Sequence, residues 1–156
     1  MSDWLRRVSA APDDLNLAMD ALDFYEAKLQ EGLAELEPKG RVWDKAKMIP
    51  GLQAYWYGMW KEINAITQFL GIRAVKANHE AQIAYITSFK GRELSENQAR
   101  RLAEGDPSVL AVRELAVHFE LLTEKYGGLT KGLESLHFQI GHLVKLRESG
   151  IEDSLF

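Results

Sequence analysis

The sequence contains no cysteine, which excludes a disulfide framework, a thiolate zinc site and a cysteine nucleophile. It also lacks any run of eighteen apolar residues, the length that indicates a membrane-spanning helix. The first fourteen residues carry two arginines, but no apolar core of a signal peptide follows them. We therefore expect a cytoplasmic protein without a membrane partner.

The sequence motifs of the common enzyme classes are absent as well. There is no GxGxxG, no phosphate-binding P-loop, no GxSxG and no HExxH. Glu134 and His137 have the ExxH spacing of di-iron bundles, but those sites need a second ExxH and two further glutamates, and no second ExxH occurs. We predict no catalytic residues, no metal site and no cofactor, so we do not expect an enzyme.

Hydrophobic spacing is helical along most of the chain. In the C-terminal third, apolar residues alternate steps of four and three over four heptads, the pattern of a coiled-coil seam. A strand would need a period of two, which is absent. The sequence predicts an all-α protein, a single helical domain over residues 1–156, with a C-terminal helix at about 107–149. The seam consists of Leu115, Phe119, Leu122, Tyr126, Leu129, Leu133, Leu136, Ile140 and Leu143.

Two further helices are predicted upstream. The first spans about residues 13–37 and ends before the helix breakers Pro38 and Gly40. A loop follows, and a long helix then spans about residues 51–89, with Pro50 suited to its first turn. The apolar rhythm of this helix slips near its middle, as a bend or a change of packing partner would produce.

A polar connector at residues 90–106 joins the long helix to the C-terminal helix. Within it, Ser95 and Gln98 have the spacing of a capping box, which predicts a short helix. We expect the two long helices to form a long antiparallel hairpin, accompanied by the N-terminal helix.

The C-terminal helix has more apolar surface than one antiparallel partner can cover, which predicts a homo-oligomer. Its glycines each cost roughly 1 kcal/mol relative to alanine in a helix interior. Gly128 and Gly132 lie on one face, where bare backbone permits the close approach of another helix; the alternative is a kink at Gly127 and Gly128. The predicted oligomer interface comprises Leu121, Tyr126, Gly128, Gly132, Leu133, Leu136, Phe138, Ile140 and Leu143.

The net charge of −4 conceals three blocks. Residues 1–38 have three basic and nine acidic side chains, residues 39–101 have eleven and five, and residues 102–156 have five and nine. A basic middle third with aromatic residues suits single-stranded nucleic acid, which is held by cations on the backbone and by rings on which bases stack. The alternative interpretation is a solvated basic face.

Among the aromatic residues of this region, Trp43 in its basic loop is the best stacking candidate. Trp56 and Trp60 lie on or beside the apolar seam of the long helix and are better explained as core, whereas Tyr55 and Tyr57 are ambiguous. The candidate DNA-binding residues are Lys39, Arg41, Trp43, Lys45, Lys47, Arg73, Lys76, Lys90, Arg92, Arg100 and Arg101.

Residues 84–150, from "AYITSFKGRE" to "GLESLHFQIGHLVKLRESG", combine an aromatic-Lys-Gly-Arg turn, a polar connector and a long C-terminal helix. In this order of features the chain resembles the UvsY-type recombination mediator proteins of T-even bacteriophages, over roughly residues 70–150. The resemblance implies a ring-like homo-oligomer held by the C-terminal helices and, if the chain is phage-encoded, a location in the host cytoplasm. It implies binding to single-stranded DNA and help in loading a RecA-like recombinase in place of single-strand-binding protein, in DNA recombination and repair.

The family's basic contact residues lie late on the helix before the connector, where most of this helix is neutral. Arg73 and Lys76 upstream, and Lys90, Arg92, Arg100 and Arg101 downstream, are therefore chosen on charge alone. The competing hypothesis is a helical homo-oligomeric assembly or adaptor protein that does not bind nucleic acid.

Overall fold

The computed structural model describes residues 3–37, 42–88 and 94–148, and within these ranges it contains helices and no strand. The predicted all-α class is confirmed. The five helices of the described ranges are α1 (Trp4–Ala10), α2 (Leu15–Ala34), α3 (Val42–Ser88), α4 (Glu96–Glu104) and α5 (Pro107–Glu148).

The two long helices, α3 and α5, make the most extensive helix–helix contact of the described chain. Tyr85 donates a hydrogen bond to Asp106 at 2.9 Å, and the hydroxyl oxygens of Thr67 and Thr123 lie 2.9 Å apart. Residue numbers fall along α3 as they rise along α5, so the two helices run in opposite directions. At 1.5 Å per residue, each helix is roughly 60 to 70 Å long.

Helix α2 covers one side of this pair and runs parallel to α5. The buried Tyr126 hydroxyl donates a hydrogen bond to the Tyr25 carbonyl oxygen at 2.8 Å. About two turns further along α2, the bare backbone of Gly32 faces Leu129 and Trp56. The core lies between these three helices. Its fully buried apolar residues include Ala21, Ile63, Ile66, Leu70, Phe119, Leu122 and Leu133.

Polar residues define where several helices begin. Asp14 caps α2 by accepting hydrogen bonds from two backbone amides of its first turn. The capping box predicted at Ser95 and Gln98 is present at the start of α4. Before α5, the Asp106 carboxylate accepts a 2.9 Å hydrogen bond from the Ser108 amide. These side chains satisfy amide groups that have no partner within their own helix.

Two parts of the sequence analysis differ from the structure. The prediction of a loop is wrong for residues 42–50, because α3 already begins at Val42 and contains Pro50 in its interior; the earlier part of that loop lies outside the described residues. Proline removes one helical hydrogen bond and crowds the preceding turn, which is why it marked a helix start in the sequence. Ile49, beside Pro50, is only 1% exposed, so this part of the helix packs against the rest of the chain.

The short helix α1 was not anticipated at all. It packs on α2 and α3 through the buried Val8 and through Trp4, whose ring centroid lies 5.8 Å from that of Phe24. A helix of two turns is too short to show a clear hydrophobic period, so tertiary packing rather than local pattern determines it.

Candidate nucleic-acid interface

The predicted DNA-binding residues are found in several different settings. Lys39, Arg41, Lys90 and Arg92 lie outside the described residues, and Trp43 and Lys45 belong to α3 but their side chains are not among those described. Lys47, Arg100 and Arg101 have exposed side chains. The remaining two, Arg73 and Lys76, take part in ion pairs.

Arg73 is held between two carboxylates. Its side chain is 16% exposed, donates a 3.1 Å hydrogen bond to Glu80 and forms an ion pair with Asp13. Burial lowers the pKa of Arg73, but the hydrogen bonds and negative charges of Glu80 and Asp13 outweigh it, and the pKa is raised. Lys76 lies 3.7 Å from the same Glu80. Arg73 therefore joins the segment before α2 to α3, and little of its charge is free for a phosphate.

A groove lies on the side of the α3–α5 pair away from α2. Gly127 of α5 faces Trp60 there, whereas Gly132 faces Leu36 after α2. At 100° per residue these two glycines are about 140° apart around α5, which places α2 and the groove on different sides. We call it the aromatic groove; it encloses about 570 Å³. Its lining residues are Tyr57, Trp60, Thr123, Glu124, Gly127, Gly128, Thr130, Lys131 and Glu134.

Two rings form the α3 wall of the aromatic groove, and the cation of Lys61, which is not itself a lining residue, lies beside them. The ring centroids of Tyr57 and Trp60 are 5.6 Å apart, with an interplanar angle of 67°. The Lys61 ammonium lies 5.2 Å from the Tyr57 centroid and 4.9 Å from the Trp60 centroid, within the range of cation–π attraction. Tyr57 is 49% exposed, so part of its ring surface is open to a ligand.

The α5 wall of the groove consists of bare backbone at two positions, because both residues there are glycines. A Cβ atom at Gly128 would meet nothing within 4 Å, and one at Gly127 would lie 3.6 Å from Trp60 Nε1. Helix α5 continues without a break through all four of its glycines. The bare backbone at Gly127 and Gly128 therefore leaves the Trp60 side of the groove uncovered.

The rim of the groove carries charges of both signs, Lys131 with Glu124 and Glu134. Ammonium groups at Lys61 and Lys131 can contact phosphate oxygens, and carboxylates can accept hydrogen bonds from base amino groups. Thr130 donates its hydroxyl hydrogen to the Gly127 carbonyl oxygen at 2.9 Å, which fixes one side chain of the wall. This chemistry suits the binding of a planar, partly anionic ligand.

The predicted oligomer interface divides into buried and exposed members. Tyr126, Leu133 and Ile140 are at most 7% exposed within the chain itself, and Gly132 packs against Leu36. These four positions are therefore largely covered within one chain, and their assignment to a subunit interface stays a prediction. Leu136 is half-buried. The exposed members are Leu121, Gly128, Phe138 and Leu143.

Across residues 3–37, 42–88 and 94–148, no three histidine, aspartate or glutamate side chains are grouped so that they could hold a metal ion. None of the helices described is both long and apolar enough to cross a membrane. In comparisons with known proteins, no family model, no curated protein and no solved structure matches the chain. A functional assignment must therefore rest on the residues themselves.

Part of this site does not follow from the sequence pattern. Trp60 was predicted to be core, and Lys61, which directly follows the aromatic cluster at residues 55–60, is not among the predicted DNA-binding residues. A helical wheel would have shown that Tyr57 and Lys61 are one turn apart on the same face. It could not have shown that Gly127 and Gly128 lie opposite them.

Proposed function

We propose that this chain is a single-stranded DNA-binding recombination mediator, which helps a RecA-like recombinase replace single-strand-binding protein on the strand. The single observation that carries the proposal is the aromatic groove, where exposed ring surface and a lysine occur together. Single-stranded nucleic acid is bound by this combination of cations and stacking rings. The resemblance of residues 84–150 to the UvsY-type mediators supports the same function independently.

In this mechanism a base stacks on the exposed part of the Tyr57 ring, beside Trp60. The Lys61 and Lys131 ammonium groups contact the neighbouring phosphates and release counterions, so affinity falls as salt rises. Glu124 and Glu134 weaken the attraction for phosphate, so each groove binds weakly. A homo-oligomer multiplies such weak contacts through effective concentration.

Mediation follows from the path that the strand takes. A strand whose bases stack on successive grooves is held in an extended or kinked form, and those bases are no longer available to single-strand-binding protein. Weak individual contacts also allow the strand to leave one groove at a time. A recombinase can then displace the mediator stepwise.

The test is the binding of a fluorescent oligo-dT strand, measured by anisotropy at about 50 and about 300 mM salt. Wild-type protein is expected to bind tightly at low salt and much more weakly at high salt. Tyr57→Ala is expected to weaken binding about tenfold, because base stacking on an aromatic residue contributes about 1–3 kcal/mol. Lys61→Ala is expected to lower the salt slope by about one.

Tyr55→Ala is the matched control for Tyr57→Ala. Tyr55 is on the same helix and is 47% exposed, but it lies about 160° around α3 from Tyr57, on the α2 side. Its removal is expected to leave affinity unchanged. Equal losses in the two variants would refute the groove as the binding site. A folded oligomer that does not bind oligo-dT at low salt would refute the proposed function and favour the adaptor hypothesis.

A further inference from the structure

Helix α3 has an exposed apolar stripe on the side that faces away from the buried core. Ile72 and Val75 are 70% and 72% exposed, and Ile83 and Ile86 are exposed one to two turns further along. At 100° per residue these four positions lie within about 80° of one another, and Ile72 is about 160° from the buried Leu70. We call this set the α3 stripe.

Helix α5 has a corresponding stripe on its own outer side. Leu110, Val117 and Leu121 are 41%, 61% and 50% exposed and lie within about 40° of one another. Phe119, which is fully buried against the core, is about half a turn away from Leu110. We call this set the α5 stripe. The two stripes therefore lie on two separate outer surfaces of one subunit.

The two stripes overlap along the bundle over part of their length. Residues of α3 and α5 that lie side by side have numbers that add up to about 190, as the contacting pairs Tyr85 with Asp106 and Thr67 with Thr123 show. Ile72 is therefore level with the residue next to Val117, whereas Ile83 and Ile86 are level with residues just before the α5 stripe. Each stripe is roughly 15–20 Å long at 1.5 Å per residue.

We propose that the α3 stripe of one subunit packs against the α5 stripe of the next, head to tail. This inference names the assembly surface of the homo-oligomer in the proposed function and rests on that function. Rotation about an axis parallel to the helices keeps both stripes level and places α3 beside an antiparallel α5, the packing already present within the chain. Because the two surfaces differ, the contact is heterologous and closes into a ring or continues as a filament.

Charge complementarity favours a second copy as the occupant. Lys76 borders the α3 stripe; its side chain is 68% exposed, although its ammonium group also lies 3.7 Å from Glu80 of the same helix. The same level of α5 is residue 114, and the exposed Glu114 borders the α5 stripe there. A second copy therefore matches both the level and the sign of the Lys76 charge.

The absence of cysteine gives a direct test, since introduced thiols have no competitors. Ile72→Cys and Val117→Cys replace exposed side chains and leave the core untouched. A short bismaleimide is expected to crosslink a mixture of the two single variants into covalent heterodimers. Each variant treated alone is expected to give no crosslinked species. The double variant is expected to give a ladder of crosslinked oligomers. Crosslinking of either single variant to itself, or no crosslink in a protein that light scattering finds oligomeric, would overturn the inference.

A charge exchange provides a second measurement. Lys76→Glu and Glu114→Lys are each expected to raise the dissociation constant of assembly more than tenfold, and the double exchange is expected to restore it. Double exchange without recovery would count against the contact. If oligo-dT binds a particle assembled through other surfaces, only this inference fails. If the crosslinks form as expected but the protein does not bind oligo-dT, the proposed function fails instead.

Discussion

Gly32 sets the distance between α2 and α5, and its replacement by alanine tests that packing. A Cβ atom there would lie 2.4 Å from Leu129 Cδ2 and 3.1 Å from the Trp56 ring. Both neighbours are buried, at 1% and 3% exposure, so neither side chain can turn away freely. Overpacking of this kind costs about 1–3 kcal/mol, and the better helix propensity of alanine returns roughly 1 kcal/mol. We expect a net loss of about 1 kcal/mol.

Gly71→Ala is the matched control, because a Cβ atom at Gly71 in α3 would meet nothing within 4 Å. It is expected to stabilise the fold by roughly 1 kcal/mol through helix propensity alone. In a chain of this size, 1 kcal/mol shifts Tm by about 2–4 °C. The assay is thermal unfolding followed by circular dichroism, with all variants at one protein concentration, since assembly makes Tm depend on concentration. If Gly32→Ala raised Tm as Gly71→Ala does, the close approach of α2 would be refuted.

Three further substitutions test other contacts. Tyr126→Phe removes the buried hydrogen bond to the Tyr25 carbonyl and is expected to lower the free energy of unfolding by about 1 kcal/mol in a denaturant titration. Ser95→Ala removes the α4 cap and is expected to cost about 1 kcal/mol locally, which faster amide exchange confined to α4 would report. Arg73→Ala breaks the ion pair with Asp13 and is expected to lower the free energy of unfolding by less than about 1 kcal/mol. The affinity for oligo-dT is expected to stay unchanged, and a tenfold loss of that affinity would contradict the structural role of Arg73.

Regular hydrophobic spacing made the long helices predictable. The seam of α5 repeats over four heptads, and the helix expected at about 107–149 is found at Pro107–Glu148. Local chemistry was equally informative where a polar side chain satisfies backbone amides, as Ser95 and Gln98 do at α4. These features depend on residues close together in the sequence, so the sequence contains nearly all of the information.

What a helix face packs against could not be predicted in the same way. Spacing shows that Tyr126 and Leu133 lie on an apolar face, but it does not show whether the partner belongs to the same chain. The structure supplies that partner internally, through α2 and α3. The slip in the α3 rhythm was a real signal of a change in surroundings, since Ile83 and Ile86 lie on the exposed side of that helix.

The candidate site was harder to predict because it depends on long-range pairing. A count of basic residues treats Arg73 and Lys61 alike. In the folded chain, Arg73 is neutralised by Asp13, which is sixty positions away in the sequence, whereas Lys61 lies over two rings. The opening of the groove depends on Gly127 and Gly128 from the other long helix. No local pattern contains either relation.

Because α2 covers the α3–α5 pair on one side and not on the other, the proposed assembly has two unlike faces. If copies repeat by rotation about an axis parallel to the helices, every aromatic groove points one way and every α2 points the other. Residues 1–38 carry nine acidic and three basic side chains, so the α2 face is strongly negative. Such a face repels a phosphate backbone, and long-range repulsion steers the encounter toward the opposite face. The particle would then present a single strand-accepting side, and the direction from which DNA approaches would be set by charge before any base touches a ring.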